Sequence, residues 1–381
     1  MNIIHNKQSC KFLIYIITIL FFVAGFTEAA GTDEAKKYRD IQSDTWVATD
    51  AIGRVLPNNK QCGSPREEKY VAIFYFQWLD KVHESKKLYD ITKILNANPK
   101  NPEYGPEQIF HWWSEPYLGY YFSVDEFVIR KHAQMLSDAG VDVIILDVTN
   151  GITYDNVYEK ICYVFTKIRE EGGDTPQIAF LINSGSDRVV KSLYENFYSK
   201  KRYPDLWFQW LGKPLILASQ KGLNKKIKKF FTFRRSWAWS DPNGWFSDGK
   251  DKWPWIDNYP QNPGWHDSPD KPEEISVCAA QHPTSNIGRS FEKGRQPPPE
   301  ECETDKGLCF AEQWERALEV DPKVIFITGW NEWIAQRFIN KGGMSFLGKK
   351  LKVGETFFVD DYSQEYSRDI EPMKGDRKRV V

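Results

Sequence analysis

The sequence predicts an α/β protein folded as a (β/α)8 barrel. Three observations carry this expectation. Eight short hydrophobic runs, rich in β-branched and aromatic residues, recur along the chain. Most alternate with segments of helical apolar spacing. Polar or acidic residues recur just past the ends of those runs, where barrels of this kind carry their active sites. A doubly wound sheet is the alternative. It usually offers fewer strands and a glycine-rich phosphate turn, and neither G-x-G-x-x-G nor a P-loop occurs here.

Taken in order, residues 1–29 read as a secretory signal. Lys7 and Lys11 form a weakly basic start, an apolar run follows over 12–26, and Thr27-Glu28-Ala29 places small residues where a signal peptidase reads them. Cleavage is expected after Ala29, giving a secreted or periplasmic protein. The apolar run is short for a membrane span, which needs about 20 residues, and no second stretch is long enough. No membrane span is therefore expected after cleavage. Residues 30–68 form a polar lead-in, 69–371 the barrel, and 372–381 a basic tail.

Strands are expected at 70–77, 141–146, 177–182, 214–218, 229–234, 253–256, 275–280 and 323–328. Helices are expected at 125–139, stopped by Gly140; at 156–169, stopped by Gly172-Gly173; at 186–198; and at 311–320. A complete barrel would close with a helix outside the last strand. The tail has no apolar stripe to supply it, so either the insertion before the tail takes that role or the chain is shortened there; shortening is the expectation, with the outer face of the last strand left uncovered.

The formal net charge of −1 gives no electrostatic footprint for nucleic acid. The aromatic fraction is 15%, with fifteen tryptophans, many in expected loops. Loop aromatics in that number suit a cleft for a ligand with flat apolar faces, as sugars have, although a single Trp is more often core. Five cysteines remain after cleavage: Cys62, Cys162, Cys278, Cys302 and Cys309. Cys302 and Cys309 bracket a short polar loop and could pair in an exported protein. Cys162 and Cys278 sit in apolar segments as small hydrophobes. The six histidines are scattered without metal-site spacing, and neither a metal nor a cofactor is expected.

The stretch at 324–333, VIFITGWNEW, organises the functional reading. A buried strand ends in Gly329-Trp330-Asn331-Glu332-Trp333, placing a carboxyl between two indoles, in surroundings that raise its pKa. Glu332 is the leading candidate acid/base. Its best partner is Asp147, an isolated acid at the end of VDVIILD, with Asp257 and Glu115 behind it. Two carboxyls facing across a bond are what glycoside hydrolysis requires. The bland reading of Asp147 is a loop hydrogen bond to Thr149 or Asn150. Trp112, Trp113, Trp237, Trp330 and Trp333 are candidate sugar-binding walls, with Asn183, His282 and Asn331 as polar contacts. Arg234-Arg235 suits an anionic substituent but more simply pairs with nearby acids. Asp360, Glu365, Asp369 and Glu371 are within reach of the cleft, with a solvated acidic loop as the default.

The run FAEQWERALEVDPKVIFITGWNEW, 310–333, resembles the WbsX-like and glycoside hydrolase family 99-like group. That resemblance implies a (β/α)8 barrel acting on glycans; the best-known members are endo-acting α-mannosidases. The family motif W-N-E-W-x-E-G supplies two glutamates. The first maps onto Glu332. The second falls at Ala335, because this chain reads W-N-E-W-I-A-Q, so one family carboxylate is missing. Two functions follow as expectations: an exported glycoside hydrolase acting on a polysaccharide or glycan, or a non-catalytic glycan-binding barrel.

Overall fold

The computed structural model describes residues 48–49, 53–84, 87–238, 245–281, 287–346 and 349–374. The expected signal segment, most of the basic tail and His282 lie outside the described residues.

Seven parallel strands form the frame. They are β1 (Tyr70–Tyr75), β3 (Val143–Asp147), β4 (Gln177–Leu181), β5 (Lys213–Leu217), β6 (Thr232–Arg234), β7 (Pro272–Cys278) and β8 (Val324–Thr328). Their order across the sheet is β6, β5, β4, β3, β1, β8, β7. The eighth position is the 252–256 segment. It joins β6 through the parallel bridges Arg235–Lys252 and Ala238–Ile256 rather than through a full ladder. The sheet curls strongly, and the fold is the expected α/β barrel.

Side-chain alternation sorts the barrel into two layers. Ala72, Phe74, Val143, Ile145, Ala179, Leu181, Leu215, Leu217 and Phe326 share the inner cluster. Ile73, Tyr75, Ile144, Leu146, Ile178, Phe180, Ile216 and Ile327 share the outer one. The outer layer packs on α2 (Glu126–Asp138), α3 (Asp155–Glu170) and α4 (Ser186–Leu193). Asp125 caps α2 by accepting from the amides of Phe127 and Val128, and Gly140 leaves it at φ +74°. One edge of β7 pairs antiparallel with residues 264–265, and its Ile275 and Val277 pack on Ala317 of α6 (Leu308–Val320).

Further elements differ from the sequence reading. The expected strand at 229–234 begins as a short helix, α5 (Lys225–Phe230), because the Asn224 side chain caps it by accepting from the Ile227 amide. Only Thr232–Arg234 is strand. A helix also precedes the first long loop, α1 (Ile91–Ala97), capped by Asp90.

No helix follows β8 among the described residues. The chain instead forms a three-stranded antiparallel ribbon of β2 (Phe110–Trp112), β9 (Ile334–Ile339) and β10 (Thr356–Val359), then folds back over the barrel mouth. The outer face of β8 is less exposed than expected. Ile327 is buried in the outer cluster with Ile129 and Ala133 of α2, and Ile370 packs against the same cluster. Near the strand's start a groove of about 310 Å³ remains, lined by Val71, Ile325 and Leu318 among others. Among the described residues, no helix is long and apolar enough to cross a membrane.

Candidate active site at the mouth of the barrel

The C-terminal end of β8 is held by backbone bonds on both sides. The Trp330 amide donates to Phe74 O at 2.9 Å, which ties the turn to β1. Residues 368–371 lie along its other edge: Gly329 N donates to Arg368 O, Ile370 N to Gly329 O and Glu371 N to Trp330 O. Space at 329 is tight: a Cβ there would come within 3.0 Å of the Phe74 ring and 3.4 Å of an Asp369 oxygen. Asn331 clamps β1 by accepting from Phe76 N at 2.8 Å and donating to Phe76 O at 2.9 Å. It therefore positions the turn, with both amide ends already occupied.

Glu332 is 5% exposed. Its amide donates to Asp369 Oδ1 at 2.9 Å, and its carboxylate accepts from Arg368 Nη2. Arg368 is buried too. It reaches Asp361 Oδ1 at 3.2 Å and Asp360 at 4.0 Å, with its guanidinium 5.3 Å from the Trp255 ring centroid. Burial is the largest influence on Glu332 and pushes its carboxyl well above the usual range, against the opposing pull of Arg368; Asp360, Asp361 and Asp147 push it further. Asp361 is raised well above its ordinary value by burial, and Asp369 to about 6. Burial by itself would lower the Arg368 guanidinium, but the surrounding carboxylates, Asp361 first, more than offset it and keep it charged. Arg368 thus faces more buried acids than it can neutralise, and the cluster must retain protons near neutrality.

Asp147 ends β3 and belongs to the same field. Its Oδ2 accepts from the Trp78 indole at 2.8 Å and its Oδ1 from Thr149 N at 2.9 Å. The expected Thr149 bond is therefore present, alongside a partnership with Trp78. Desolvation still leaves the carboxyl raised. Trp78 in turn lines a cleft of about 490 Å³ with Phe110, Asn150, Tyr154, Gln108 and Gln336 among others. The Trp78 and Tyr154 rings lie 10° from parallel with centroids 6.4 Å apart.

The remaining candidates divide clearly. Asp257 is engaged locally: its oxygens accept from Asn258 N and from Asn262, closing a local turn, and it raises the buried acid Glu274. Glu115 is bound between Lys93 and Lys374, which hold its carboxyl below the usual range. Asn183 is exposed at the end of β4. Trp237 is half-buried and 6.4 Å from Trp255.

The other four tryptophans correct the expectation of sugar-binding walls. Trp112 and Trp333 are fully buried, and Trp113 and Trp330 nearly so. Trp113 and Trp333 stack at 4.5 Å, and Trp330 packs edge-on to His132. Their faces are already covered by protein and cannot take a ligand. Arg234 likewise pairs with buried Glu273 at 2.6 Å, as the simpler reading held. Ala335, where the family's second glutamate falls, is buried opposite His111 in the ribbon.

Arg368, Asp361 and Trp78 were not singled out from the sequence. Trp78 had a readable signal, since it directly follows the first strand in FQW. Arg368 and Asp361 had none, because only the return of the chain over the mouth brings them to Glu332.

Comparison with solved structures finds the GH99 endo-alpha-mannosidase from Bacteroides thetaiotaomicron. The TM-score is 0.45 at 14% identity, covering 71% of this chain and 86% of the mannosidase. The structure of that enzyme in complex with bis-tris-propane gives 0.40 at 16% identity, with 71% and 85% covered. No protein-family model and no curated protein matches the chain. The fold assignment above rests on the strand ladder itself.

Proposed function

We propose that the chain is an exported glycoside hydrolase that takes a glycan at the mouth of the barrel. The observation that carries this reading is the joining of an aromatic cleft to a proton-retaining carboxyl cluster through Asp147, whose Oδ2 accepts from cleft-lining Trp78. Glycoside hydrolysis needs one carboxyl that still holds a proton near neutrality and a second that acts as base or nucleophile. Glu332 has the surroundings of the first. Asp147 is its partner, and Asp360, with 27% of its side chain exposed, opens the cluster toward solvent. The substrate is a polysaccharide or glycan, and no cofactor enters the scheme. Export rests on the signal pattern of residues 1–29.

Two observations favour a second reading, a glycan-binding barrel without catalysis. Glu332 is ion-paired to Arg368, and the family's second acid is replaced by buried Ala335. A panel of plant, algal and host glycans separates the two. Release of new reducing ends supports hydrolysis; retention of a glycan without cleavage supports binding alone. Neither outcome with any glycan would refute both.

A further inference from the structure

Cys278 ends β7 and Cys309 lies in the first turn of α6, 31 residues later in sequence. Both are buried. The fold seats Cys309 Sγ 3.9 Å from the Cys278 carbonyl oxygen, and Cys278 Sγ donates to Gln313 Oε1 at 3.3 Å. Each residue is also fixed through its backbone. Cys278 N donates to Gln313 Oε1 at 2.9 Å, and Cys309 N donates to Arg289 O at 3.0 Å. Cys302, the partner that sequence spacing offered for Cys309, instead has Gln296 Nε2 at 3.9 Å and Pro298 O at 3.6 Å from its sulfur.

We propose that Cys278 and Cys309 form a disulfide in the exported protein, a pairing that rests on the export reading above. With Cys309 Sγ against the Cys278 main chain and both backbones anchored, forming the bond calls on rotation of the two side chains, Cys278 Sγ turning away from Gln313. The chemistry is thiol–disulfide exchange. One cysteine thiolate attacks an oxidised thiol carrier such as glutathione disulfide and expels one glutathione. The second thiolate then attacks the mixed disulfide and expels the other. The protein loses two electrons and two protons, and the carrier leaves as two thiols. Because both sulfurs are buried in the folded chain, the exchange takes place before the loop closes over them.

The bond would staple the base of the 279–308 loop. That loop holds the segment that carries Arg368 and Asp369. Arg289 Nε donates to Ser367 O at 2.8 Å, and Ser290 Oγ to Glu365 Oε2 at 2.9 Å. The disulfide would thus secure the support of the carboxyl cluster without touching it.

The test is to denature and reduce the full chain, refold it in glutathione disulfide buffer, then alkylate it under denaturing conditions without reductant and map the peptides by mass spectrometry. The expected product joins the Cys278 and Cys309 peptides, lighter by two hydrogens, with Cys62, Cys162 and Cys302 alkylated. Alkylation of all of them, or a bond between Cys302 and Cys309, overturns the proposal. Reductant should lower the melting temperature of the refolded parent and leave that of the Cys278→Ser, Cys309→Ser double variant unchanged. An equal effect on both would also overturn it. Refolding in vitro does not depend on export, so N-terminal sequencing of secreted material can refute export while the disulfide result stands.

Discussion

Arg368→Met removes the guanidinium that meets Glu332, Asp361 and Asp360 and keeps most of the side-chain length over Trp255. In the parent, Arg368 contacts Glu332, Asp361 at 3.2 Å and Asp360 at 4.0 Å, with 1% of its side chain exposed. Removing one partner of a buried pair costs about 3–5 kcal/mol, because the other charge is left uncompensated. Over roughly 300 residues, with an unfolding entropy near 2.1 cal/mol/K per residue, that is a drop in melting temperature of roughly 5–8 °C. The loss must depend on pH, and its sign is fixed by the carboxyls. Glu332, Asp361 and Asp369 have folded-state pKa values raised above their ordinary ones. Each is protonated in both states at low pH. As pH rises from the unfolded value through the folded one, the unfolded chain ionises first and folding stability is lost. For Asp369, raised from 3.8 to about 6, that loss is on the order of 3 kcal/mol. The parent should therefore melt higher at about pH 5 than at about pH 8. Without Arg368 the folded-state values climb further, so the variant's deficit should widen over the same interval. Melting followed by circular dichroism at both pH values reads this directly. An equal deficit at both, or a variant as stable as the parent at about pH 8, would refute the cluster's electrostatics.

Other outcomes follow from the same geometry. Trp78→Ala removes the indole that lines the cleft and bonds Asp147; glycan retention on an affinity column should weaken at least tenfold, as loss of an aromatic contact together with a hydrogen bond implies. Glu115→Gln breaks only partly exposed pairs with Lys93 and Lys374 and should cost no more than about 1 kcal/mol, with turnover unchanged in a reducing-end assay; a large loss of turnover would return Glu115 to the chemistry. Secreted material should begin at Ala30 on N-terminal sequencing, and a start at Met1 would count against export.

The barrel was legible because its signals are local. Runs such as VIILD and VIFIT are buried almost throughout, and caps such as Asp125 and stops such as Gly140 sit at helix ends where short-range chemistry puts them. The Lys225–Phe230 helix was missed because its cap, Asn224, precedes a lysine-rich turn whose only buried residue is Ile227, too little for an apolar stripe. The site was legible by half. Glu332 and Asp147 could be named because each interrupts the end of an apolar run. The tryptophans misled for a physical reason: an indole beside a carboxyl reads the same whether it faces a ligand or another indole, and Trp113 and Trp333 face each other. Arg368 and Asp361 follow β8 by more than thirty residues, and nothing local announces that residues 368–371 turn back to pair with Gly329 and Trp330.

The central claim is that Glu332 and Asp147 carry out proton-transfer chemistry on a glycan at the barrel mouth. Its most direct test is turnover by Glu332→Gln on a glycan that the parent cleaves, with binding and melting measured on the same sample. Glutamine keeps the shape and the hydrogen-bonding reach but cannot shuttle a proton. Turnover should fall by roughly 10²–10⁴-fold while the glycan remains bound and the protein remains folded, and Asp147→Asn should show a comparable loss. Turnover left intact in Glu332→Gln would assign the chemistry to other carboxyls. An unfolded Glu332→Gln at ordinary temperature would make Glu332 a structural acid held by Arg368, contradicting the account.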